Sequence, residues 1–111
     1  MYGGQRQKGF GSMAEVTIVY WRDIPAQVIV GKGRRGTKVQ LSERFEQAID
    51  RCAMKVGAKD ADAYLADWRK AAPVTMDGAD ADVAASEAAR LETEYDTERL
   101  KALIANEGHA T

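Results

Sequence analysis

The chain has one cysteine, one histidine and two prolines in 111 residues. A single thiol excludes an internal disulfide and a cysteine-rich zinc site. A lone histidine near the chain end, His109, leaves little for Ser/His/Asp or soft-metal chemistry. Apolar runs are only a few residues long, too short to span a membrane, and no apolar signal core follows Met1. These absences point to a cytoplasmic protein with no metal and no cofactor. What is present is ordinary for a globular chain: 45% hydrophobic and 30% charged residues. The length suits one domain.

The net charge of −1 hides a polarised chain. Up to Leu41 there are seven Lys/Arg against two Asp/Glu; beyond it there are nine against fifteen, a split of +5 and −6. Such polarity suits an anionic partner or simple solvation.

Residues 1–12 carry four glycines and no hydrophobic periodicity, and Gly11-Ser12-Met13 has the look of a cloning junction ahead of a start methionine. They are read as a disordered leader or junction. Residues 13–106 are expected to form a single domain, with 107–111 a frayed tail. Val16 to Trp21 is a run of β-branched and aromatic residues, the clearest strand. Alternation puts Val16, Ile18 and Tyr20 on one face and Thr17, Val19 and Trp21 on the other. Ala26 to Val30 is a second strand and Thr37 to Leu41 a short third.

The period then changes to 3.6. Ser42 is placed to cap a helix from Glu43 to Val56, with Phe45, Ala48, Ile49, Cys52, Ala53 and Val56 on its apolar stripe and Gly57 its stop. A second helix is expected from Asp60 to Pro73, with Tyr64, Leu65 and Trp68 as its stripe. Residues 74–81 read as a loop. An alanine- and glutamate-rich stretch from Asp82 to Asn106 reads as one long helix. The expected fold is α+β: a small, three-stranded, mainly antiparallel sheet, two short helices and one long C-terminal helix.

Three features bear on function. Both faces of the first strand are apolar, so Val19, Trp21, Arg22, Asp23 and Ile29 are candidate interface residues for a protein partner or a homodimer. The same Arg22 and Asp23 are equally suited to fixing the turn, with Trp21 packed beneath. The loop Gly31-Lys32-Gly33-Arg34-Arg35-Gly36 combines close backbone approach with cations. Lys32, Arg34, Arg35 and Lys38 are therefore candidate anion-binding residues for phosphate, polyglutamate or, less favoured, nucleic acid. The loop lacks the Gly-Lys-Ser/Thr ending of a phosphate-binding P-loop, and no helix is expected directly after it. Cys52 falls on an apolar helix face, where a core role outweighs a nucleophilic one. No catalytic residue is identified, so the chain reads as more suited to binding than to catalysis.

The segments Val16-Thr-Ile-Val-Tyr-Trp-Arg-Asp-Ile-Pro-Ala-Gln-Val28, Gly33-Arg-Arg-Gly36, Leu41-Ser-Glu-Arg-Phe-Glu-Gln-Ala-Ile-Asp50 and Tyr64-Leu-Ala-Asp-Trp68 resemble the bacterial "virulence factor" domain family over about Glu15 to Ala72. The family includes short stand-alone proteins similar to a C-terminal part of conserved virulence factor C. The resemblance implies an accessory role linked to one-carbon (folate- and cobalamin-linked methyl-transfer) metabolism. It carries over no catalytic residue.

Overall fold

A computed structural model describes residues 13–31, 36–58 and 60–110. Its elements are β1 (Met13–Trp21), β2 (Ile24–Val30), β3 (Thr37–Gln40), α1 (Glu43–Lys55), α2 (Ala61–Ala66), β4 (Trp68–Lys70), β5 (Val74–Asp77), α3 (Asp80–Glu94) and α4 (Thr97–Ala105). The class is α+β, as the periodicity requires, and the first three strands form an antiparallel ladder in the order β3-β2-β1.

The sheet has five strands rather than three, because β4 and β5 both pair with β1. They lie end to end along its free edge. Trp68 pairs with Trp21 and Lys70 with Val19; Val74 then pairs with Val16 and Asp77 with Met13. Across Ala71, Ala72 and Pro73 the register slips by one residue, while the Ala71 N–H still donates to the Ile18 carbonyl at 3.0 Å. Proline cannot donate to a ladder, so the break falls where Pro73 stands. The expected helix to Pro73 therefore ends at Ala66, and the expected loop at residues 74–81 contains β5.

The long C-terminal helix is two helices. α3 ends at Glu94, and Asp96 starts α4 by accepting from the Arg99 N–H at 2.8 Å. This Asp cap competes with continuation of α3, an outcome that helix propensity alone does not register. Asp96→Ala is expected to cost about 1 kcal/mol, read as a drop in urea midpoint at unchanged slope.

The core is continuous. Ala14, Val16, Val28 and Val30 of the sheet join Phe45, Ile49 and Cys52 of α1, Val83, Ala84 and Leu91 of α3, and Leu100 and Leu103 of α4. α1 buries the stripe expected of it, and α4 packs alongside it. Arg44 ties α1 to the end of α3, donating to the Tyr95 and Glu92 carbonyls and to Glu92 Oε1. The expected Ser42 cap makes no side-chain bond to α1. Its hydroxyl and amide instead donate to the Glu92 carboxylate at 2.8 and 2.7 Å.

Candidate functional site

The turn between β1 and β2 is an internal fastening. Trp21 is fully buried, which takes it out of any exposed interface. A register shift between Val19 and Tyr20 interrupts the β1–β2 pairing before Trp21, which pairs with the buried Ile24 and joins the core. The Trp21 indole stacks on Tyr64 at 6.0 Å between ring centroids, Tyr64 meets Trp68 edge-on at 5.9 Å, and the indole N–H donates to the Tyr64 carbonyl at 2.8 Å. Its ring partner Tyr64 of α2, with Trp68 of β4 against that ring, belongs to elements that alternation within β1 cannot reveal.

Arg22 and Asp23 are likewise occupied, though not with each other. Arg22, with φ of 54°, pairs with Asp67 at 3.1 Å and donates to the Glu107 carbonyl at 2.7 Å. Asp23 accepts from Arg69 at 2.8 Å and from the Ala110 N–H at 2.7 Å, while its own N–H donates to the Gly108 carbonyl at 2.8 Å. The chain end expected to fray thus lies against this turn, with Gly108 buried. Asp67 and Arg69, which complete the fastening, gave no signal in the sequence because they lie more than forty residues away.

The Ala110 amide, together with Arg69, holds the Asp23 carboxyl below its ordinary value against an opposing effect of burial. A lowered acid stabilises the fold above the unfolded value and loses that contribution as pH falls through the folded one. The Ala110 amide resonance is therefore expected to stay constant through the ordinary carboxylate range and to shift only at more acidic pH. Asp23→Asn removes that transition; a titration unchanged by the substitution would separate the tail from Asp23.

Val19 and Ile29 behave differently. Both are half-buried, and neither belongs to the core or packs on it. Pairing sets Thr17, Ile29 and Lys38 in one cross-strand row. The adjoining row holds Gln40, Gln27, Val19 and Lys70. Lys38 and Lys70 are exposed and frame the two apolar side chains. α3 packs on the opposite face, where Met76 and Val83 line a common hollow and Met76 pairs with Ala14.

Lys32, Arg34 and Arg35 of the proposed anion loop lie outside the described residues. At its described flank, Gly31 has φ of 99°, and a Cβ there would come 2.9 Å from Asp80 Oδ2. A carboxylate therefore stands beside the loop's entry, which opposes an anion at that point. Cys52 is buried and its thiol is pushed up by burial, partly offset by Arg22 and Lys55, the reverse of an activated nucleophile. Among the described residues no group of His, Cys, Asp and Glu could hold a metal ion. No helix there is long and apolar enough to cross a membrane.

Comparison with curated proteins and with solved structures gives no match. A family model described as "Virulence factor" matches residues 19–104, from the end of β1 to the last turn of α4. That span is well over half of the 111 residues and takes in the Trp21 fastening, so the chain belongs to the Virulence factor family.

Proposed function

We propose that the chain is a non-enzymatic interaction module that docks a protein partner on the Thr17–Val19–Ile29 face of its sheet. The observation that carries this reading is the pair of apolar side chains Val19 and Ile29, outside the core and framed by Lys38 and Lys70. Apolar centres with a charged rim are typical of docking surfaces. The lysine rim favours a partner with carboxylates around an apolar patch. Trp21, Arg22 and Asp23 support the face from below by fixing the end of β1 and do not themselves meet the partner. The anion-loop alternative has less support, because Asp80 stands at the loop's entry.

Proteins of one-carbon metabolism, the setting that the family resemblance implies, are the first partners to test. Lys38→Glu combined with Lys70→Glu changes only exposed side chains. The double variant is expected to melt like wild type and to lose capture of a partner about tenfold or more. Undiminished capture at equal stability would remove this face from the account.

A further inference from the structure

The outward ridge of α1 separates two depressions of opposite charge. On one side, between α1 and α2, lies an open hollow of about 600 Å³ lined, among the described residues, by Asp50, Met54, Ala58, Asp60 and Tyr64. On the other, α1 and α4 form a groove of about 160 Å³ with Ala48, Leu100 and Ile104 as floor and Arg51 and Lys101 at its rim. The groove has no carboxylate in its lining, although the chain beyond Leu41 is strongly acidic. Arg51 and Lys101 have no hydrogen-bond or ion-pair partner among the described residues, whereas Arg22, Arg44, Arg69 and Arg90 are all paired. Between the depressions stands Met54, 75% exposed.

We infer that a second copy of this chain docks here, α1 against α1, with the acidic hollow of each copy over the basic groove of the other. The charge arrangement selects the symmetry. Successive helix residues are about 100° apart, so Asp50 lies to one side of Met54 and Arg51 to the other, at nearly the same height. A two-fold axis running along α1 keeps heights equal and brings left flank against right. Asp50 of each copy then faces Arg51 of its mate, twice over, with the two Met54 side chains at the centre. A two-fold axis across α1 would set acid against acid and base against base. Methionine adapts readily to an opposing surface, and a two-fold interface of this kind closes on itself.

The α1 ridge shares no residue with the proposed partner face, so the two stand or fall separately. Sedimentation equilibrium on the full chain, from micromolar to millimolar, is expected to show a dimer that weakens with salt. Asp50→Lys sets a second cation beside Arg51 and makes the ridge basic on both flanks, whereas Arg51→Glu makes both flanks acidic. Each variant alone is expected to dimerise about 100-fold more weakly or worse. An equimolar mixture of the two is expected to form a one-to-one heterodimer, identified by native mass spectrometry, because both contact sets then pair opposite charges. Both residues are exposed, and matching thermal melts confirm that each variant folds. A wild type monomeric at millimolar concentration overturns the inference. So does a single variant that dimerises as well as wild type, or a mixture that stays monomeric.

Discussion

Trp21→Ala is expected to lower stability by about 3–5 kcal/mol, the range for emptying a buried large aromatic site. The indole is 0% exposed, stacks on Tyr64 and lies 5.2 Å from the Arg22 guanidinium. Its removal also strands the Tyr64 carbonyl, which accepts the indole N–H. α2 is only six residues long, too short to persist without this support. For a domain of this size the melting temperature should fall by roughly 12 °C or more. Trp21→Phe keeps most of the packing and loses the hydrogen bond, so its cost should be about 1–2 kcal/mol. Urea unfolding measures both. A loss under about 1 kcal/mol for Trp21→Ala would mean that the indole is solvent-facing, and the closed end of the sheet would be wrong.

Gly108→Ala should cost about 2–4 kcal/mol, combining left-handed backbone strain with overpacking. Gly108 has φ of 88°, and a Cβ there would meet Arg22 Cδ at 2.9 Å, Arg22 Cβ at 3.1 Å and Cys52 Sγ at 3.1 Å. Arg22 cannot simply swing away, because Asp67 and the Glu107 carbonyl hold its head. Gly57 provides the control. It has φ of 79° with nothing within 4 Å of a built Cβ, so Gly57→Ala should bear the backbone strain alone, about 1–2 kcal/mol. Equal losses at the two sites would show that the chain end is not packed on the β1–β2 turn.

These two sites also mark where the sequence was readable. The β1–β2–β3 ladder and α1 follow from strong local signals, an unbroken β-branched run and a clear 3.6 stripe. Trp68 fitted a helical stripe with Tyr64 and Leu65, yet it pairs with Trp21 across 47 positions of chain, and only that pairing defines β4. The Val74–Asp77 strand is four residues long, and its role comes from the open edge of β1. Asp96-Thr97-Glu98-Arg99 did contain a cap signal, overshadowed by helix formers on both sides. At the candidate site, alternation correctly placed Val19 and Ile29 on a common face. It could not show the register shift before Trp21 or the Tyr64 ring that stacks on its indole. Arg51 and Lys101, fifty residues apart, converge only through the packing of α1 against α4.

The docking role turns on whether the Thr17–Val19–Ile29 face meets another protein. A photo-crosslinking amino acid placed at Ile29 of the full chain, in the cells that make it, reports this directly. A discrete adduct with a different protein is expected, lost when Lys38 and Lys70 are both changed to glutamate, while the same probe at Ala89, exposed on α3, gives none. Irradiation that leaves the Ile29 probe on an unmodified chain would contradict it.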